Sequence, residues 1–231
     1  MHSTAPPSTA PPRRDQPFVI RLTHWLNVPI LLLMAGSGLE IFRAYPNFGP
    51  RGSLYRWYPF QGVQPPSFLR VGGWLAGGRH WHFALAWFLV LNGLIYVAYL
   101  FASGEWRRRV FIPQRDLAGA VRMFAFYTRL TRTPPATDFY NGLQRLAYSS
   151  VIAIGIAMIL SGLAIYKPVQ LHWLTALFGG YDGARVFHFA GLCLLGMFVA
   201  IHLIMAAAHP REIVKLINGG AKPGVPVDKP S

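Results

Sequence analysis

Four stretches of this chain, residues 19–42, 81–101, 143–166 and 186–208, each exceed 20 residues and carry almost no charge. Nothing else in the sequence narrows the possible folds so far. About 20 apolar residues cross the hydrocarbon of a bilayer as a helix. Peptide groups cannot stay unpaired in lipid, so helix is the conformation open to each run. Composition agrees: of 231 residues, 53% are hydrophobic and only 13% charged. The expected fold is therefore all-α, an integral membrane four-helix bundle with short interfacial helices in its loops. The expected division is an N-terminal disordered tail over 1–17, the four-helix transmembrane domain over 18–210, and a cytoplasmic tail over 211–231.

A net charge of +14 raises nucleic-acid binding as a reading, and position argues against it. If both termini face the cytoplasm, 15 basic residues lie on that side, including Arg107, Arg108 and Arg109, against seven on the other. Positive charge accumulates on the cytoplasmic face of membrane proteins. The expectation is a multi-pass protein of the bacterial inner (cytoplasmic) membrane with N and C termini inside, its basic loops meeting anionic lipid and no nucleic acid.

The Pro-, Ser- and Thr-rich start, "MHSTAPPSTAPPRRDQP", fits a disordered tail. No cleaved signal peptide is expected, because Arg21, His24 and Asn27 interrupt the onset of the first apolar run. Residues 42–80 form a long outer loop rich in Gly, Pro and aromatics, suited to cover helix ends or dock a partner. In the inner link, Leu117, Val121, Phe124 and Thr128 share one helical stripe, which predicts an interfacial amphipathic helix. A third short helix is expected from His172. No internal repeat is evident. The single Cys193 excludes an internal disulfide and cysteine-ligated clusters, and reads as a small buried apolar residue.

Acids lie outside the four runs or at their ends, which leaves His24, His82, His188 and His202 as the ionisable groups at membrane depth. Such residues are costly in lipid and point to function. Alternating topology pairs His82 with His188 near the outer face and His24 with His202 near the inner face. On the last helix the two histidines are 14 residues apart, a rise of about 21 Å with a phase error of about 40°. Both therefore face one seam. Two facing pairs at two depths suit two haem b groups, each held by two axial histidines. Arg21, Arg79 and Arg185 each precede a histidine by three residues, one turn closer to water, where a propionate prefers a cation. In "GRHWH" the same offset favours His82 over His80. His209 and Arg211 follow His202 at the helix exit and offer polar groups to the inner site.

With those residues in view, "RLTHWLN" from Arg21, "WHFALAWFLVLNGLIY" from Trp81, "NGLQRLAY" from Asn141, "SGLAIY" from Ser161 and "GGYDGARVFHFAGL" with "IHLIM" resemble the di-haem cytochrome b subunits of nickel–iron hydrogenases, formate dehydrogenases and thiosulfate reductases. The resemblance covers residues 17–210. It implies haem iron ligated by one histidine from the first helix, one from the second and two from the fourth, here His24, His82, His188 and His202. It implies electron transfer between membrane quinone or quinol and a catalytic oxidoreductase subunit on the outer face, of the periplasmic molybdenum-enzyme or hydrogenase type. It also places a quinone by the start of the third helix, where Asn141 and Gln144 match the family stretch and Leu143 replaces its glycine, beside His202. On this reading the chain is an electron-transfer subunit of a respiratory complex with no catalytic residue of its own. Two rivals come from other classes: a haem-free transporter using the histidines as a proton relay, and a passive membrane anchor for a peripheral enzyme.

Overall fold

The computed structural model describes residues 16–133, 135 and 140–220. Residues 1–15, most of the expected tail, and 221–231 lie outside the described residues. The described chain is all-helical: α1 (Phe18–Arg43), a 3-10 turn (Ser67–Leu69), α2 (Leu75–Ala102), α3 (Trp106–Arg109), α4 (Pro113–Tyr127), α5 (Gly142–Tyr166), α6 (His172–Leu177), α7 (Gly180–Ala208) and α8 (Pro210–Asn218). α1, α2, α5 and α7 are long and apolar enough to cross a membrane. Many of their large apolar side chains point outward, among them Leu32, Trp87 and Ile204, as lipid contact requires. α2 and α7 begin six residues before their apolar runs, because "LAGGRH" and "GYDGAR" continue the helix beyond hydrocarbon depth.

The spans pack as two hairpins, α1 with α2 and α5 with α7. Apolar side chains gain little by leaving lipid for protein, so small residues and polar contacts hold such helices together. In the first hairpin a Cβ on Gly78 would sit 3.1 Å from the Glu40 side chain. Deeper in, Asn92 Nδ2 donates to Thr23 O at 2.9 Å and to Asn27 Oδ1 at 2.8 Å. In the second, a Cβ on Gly191 would come 2.7 Å from Met158 Cγ, and Ala164 and Ala184 pack with Leu174 of α6 in a fully buried cluster.

Short helices close both ends. At the end of the bundle that carries His24 and His202, the end expected to be the inner one, α4 buries Asp116, Ala120 and Met123 against α5, while Leu117, Val121 and Phe124 stay exposed. The amphipathic stripe of the sequence is therefore the outward face of α4. Its contact with the bundle is made by the neighbouring, smaller side chains. α8 was not foreseen: Pro210 at its first turn and left-handed Gly219 past its end delimit nine residues that extend the fold past residue 210. At the opposite end, expected to be the outer one, the long loop folds over α1 and α7. Phe48, 1% exposed, is enclosed by Phe42, Trp57, Tyr58 and Phe189, and Gln61 ties Phe48 N and O together at 2.9 and 3.1 Å. Cys193 faces outward rather than inward, which a thiol in an apolar surround tolerates.

Candidate functional site

The bundle brings its four intramembrane histidines together as two pairs. His82 of α2 faces His188 of α7 with ring centres 6.1 Å apart, and His24 of α1 faces His202 of α7 at 5.9 Å. A metal–imidazole nitrogen bond is about 2 Å, and a ring centre lies about 1 Å behind its nitrogen, so two imidazoles on one iron have centres about 6 Å apart. Both pairs meet that spacing. Among the described residues no three His, Cys, Asp or Glu are grouped to hold a bare ion; paired imidazoles suit an iron that brings its own macrocycle.

The outer pair is held in place by its helices. His82 Nδ1 lies 3.1 Å from Met34 O and 3.2 Å from Ser37 Oγ. His188 Nδ1 lies 3.1 Å from both Met158 O and Ser161 Oγ. Gly38 and Gly162 make room: a Cβ on either would stand 3.2 or 3.3 Å from the Cε1 of its histidine. His80, two residues before His82, is exposed in a shallow hollow with Trp74 and Trp81.

The arginines differ in circumstance. Arg21, one turn outside His24, has a buried Nε without a hydrogen-bond partner, and its guanidinium lies against Gly219. An orphaned buried cationic N–H fits an anionic group carried by a cofactor. Arg79 is exposed and sits over the Phe83 ring at 5.7 Å. Arg185 donates from Nη2 to Tyr45 O at 2.8 Å, with Asp182 at 3.7 Å, and so also fastens the outer loop. His209 and Arg211 are exposed at the α7–α8 junction, the His209 ring bonding Met205 O at 2.9 Å.

Asn141 and Gln144 form a reciprocal capping box that starts α5: Asn141 Oδ1 accepts from Gln144 N at 2.8 Å, and Gln144 Oε1 accepts from Asn141 N at 3.1 Å. Beside it, Arg145 Nη1 donates to Asp116 Oδ1 at 2.7 Å. A Cβ on Gly142 would collide with Asp116 O. The start of the third span is thus a tightly built corner.

The residues match prokaryotic cytochrome b561 over positions 15–218. The chain belongs to that family. Family membership makes it a membrane cytochrome of the haem b, electron-transferring kind. It is 37% identical over 200 residues to a putative protein-methionine-sulfoxide reductase subunit YedZ1 of Azospira oryzae, covering 87% of this chain and 93% of that one. Probable Ni/Fe-hydrogenase B-type cytochrome subunits of Azotobacter chroococcum and Azotobacter vinelandii are 23% and 22% identical, covering 87% of this chain and 84% of each.

Several residues of the candidate site in this b561 chain escaped the sequence reading. Ser37 and Ser161 looked like ordinary small residues of a packed helix. The missed signal was a repeat: Met34-Ala-Gly-Ser37-Gly38-Leu-Glu-Ile41 returns as Met158-Ile-Leu-Ser161-Gly162-Leu-Ala-Ile165, and Arg79-His-Trp-His82-Phe-Ala84 as Arg185-Val-Phe-His188-Phe-Ala190. The expectation of no internal repeat is corrected: in both copies the histidine Nδ1 meets the carbonyl of the repeated Met and the hydroxyl of the repeated Ser. Glu40, 2% exposed, was also passed over; it pairs with Arg43 at 3.1 Å and with Arg70 of the outer loop at 3.4 Å.

Proposed function

We propose that this cytochrome holds two haem b groups, ligated by His82 with His188 and by His24 with His202, and passes electrons between membrane quinone and an oxidoreductase subunit on its outer face. The observation that carries the reading is the pair of imidazole spacings, 6.1 and 5.9 Å, each the span of one iron. A bis-histidine haem supplies one-electron outer-sphere transfer with no open coordination position. The chain's own residues hold, orient and shield. Arg21, Arg79 and Arg185 offer cations at the two ends, where propionates would lie.

The quinone is assigned to the inner end, by Asn141, Gln144 and His202. The cap uses both amide oxygens, so the NH2 groups are the atoms available to a quinone carbonyl. The partner is proposed to be a reductase or hydrogenase subunit, after the names of the relatives. It would meet the exposed Trp57, Phe60 and Trp74 of the outer loop. The protein is placed in the bacterial inner membrane, with both termini cytoplasmic.

Pyridine haemochrome analysis of the purified chain tests the ligands. Two haems b are expected per chain, His82→Ala losing one and His80→Ala keeping both. A haem-free wild type, or the opposite behaviour of the two variants, rejects the assignment.

A further inference from the structure

The two outer histidines are gripped by one device used twice. Each Nδ1 approaches a helix carbonyl, Met34 O or Met158 O, at 3.1 Å. A carbonyl oxygen only accepts, so Nδ1 carries the proton in both rings and Nε2 keeps the lone pair that a metal requires. The serine hydroxyls send their own protons to helix carbonyls: Ser37 Oγ donates to Leu33 O at 2.7 Å, and Ser161 Oγ to Met158 O at 3.2 Å. An oxygen lone pair of each serine therefore meets the ring N–H as a second acceptor, at 3.2 and 3.1 Å. Ser37 and Ser161 are 0% and 1% exposed, so no water competes. The inner pair is built differently: no hydrogen bond reaches the His24 or His202 ring among the described residues.

We propose that Ser37 and Ser161 are positioning residues that set the electron affinity of the outer haem, each sharing the Nδ1–H of its ligand histidine with a helix carbonyl. The proposal rests on the bis-histidine reading above. A ring N–H that donates to two acceptors places more negative charge on the far nitrogen and makes it a stronger metal donor. Stronger donation favours ferric over ferrous iron and lowers the midpoint potential. Because His82 and His188 would both bind the one outer iron, the effects of the two serines should add.

The experiment is a spectroscopic redox titration of the purified, haem-loaded full chain, with electron paramagnetic resonance of its ferric form. The wild type is compared with Ser37→Ala, Ser161→Ala and the double variant. His82→Ala identifies the outer-haem wave by removing it. Each single alanine variant should raise the outer midpoint, the double by about the sum, while the inner wave stays fixed. The outer ferric resonance should shift with it. Unchanged potentials in the double variant, or equal shifts of both waves, overturn the proposal while leaving the ligand assignment intact. A wild type with fewer than two haems instead overturns the ligand assignment, and this proposal with it. Where an alanine variant sheds the haem, Ser37→Cys and Ser161→Cys fill the same space with a poor acceptor. They should give the same rise, and a wild-type potential in them counts against the role.

Discussion

Gly38 and Gly162 define what an imidazole asks of the helix behind it. Each lies against the Cε1 of a histidine at a distance where a methyl group is already tight. Their conformations are ordinary, so the constraint is space rather than backbone freedom. Gly38→Ala or Gly162→Ala should push the ring by a few tenths of an ångström, at a cost of about 1–3 kcal/mol typical of overpacking. On the two-haem proposal, the expected result is a fall in outer-haem content on gel filtration with the inner haem retained, measured by haemochrome ratio. At this scale the histidines were legible, because an ionisable side chain in an apolar run stands out. The glycines and serines that support them were not. Small residues are common in every membrane helix, and only the partner across the interface shows which of them touch a ring.

Among the elements, the inner corner where α4 meets α5 is the best defended. Asp116, 3% exposed, accepts from Ile112 N at 2.8 Å, Arg115 Nε at 2.7 Å and Arg145 Nη1 at 2.7 Å. The Arg115 hydrogen bond, helped by those of Ile112 and Arg145, holds this carboxyl well below the usual carboxylate range against the opposing effect of burial. A folded-state pKa below the unfolded value means the contribution is complete above pH about 4 and is lost as pH falls further. Asp116→Asn leaves Arg145 facing a neutral amide and should cost about 3 kcal/mol. Thermal melts in detergent followed by circular dichroism should show the wild type losing stability below pH 4 and the variant flat over that range. The sequence revealed that a helix lies here, from the stripe Leu117, Val121, Phe124. It did not reveal which face binds the bundle. The apolar stripe is the side left for lipid, and a buried acid with two arginines makes the joint, the reverse of the pattern in a water-soluble protein.

For the whole molecule, hydropathy alone fixed the count of spans, because lipid leaves a run of that length one conformation. Pairing the histidines by depth needed only the alternation of direction from span to span. What a linear reading could not supply was the contact of α8 with α1, where Trp25 Nε1 donates to Leu216 O, and the folding of the outer loop onto α1 and α7 through Phe48, Gln61 and Arg185. Those contacts join residues far apart in sequence and follow no period. The uneven distribution of arginines predicts orientation. Alkaline phosphatase fused at either terminus should be inactive and a fluorescent protein at the same sites bright, whereas the reverse pattern would place the termini outside.

The doubled Arg-x-x-His and Met-x-x-Ser-Gly segments have a consequence for the shape of the electron path. Carried in register down both hairpins, the duplication aligns Tyr148 with His24 and Tyr96 with His202. The outer centre is thus made of two like halves, but of two equivalent inner positions only one bears imidazoles, the other phenols. A balanced upper storey stands on a lopsided lower one. If the proposed ligands hold haem, charge moving through this bundle would be steered to the flank shared by α1 and α7, where the second pair of imidazoles sits.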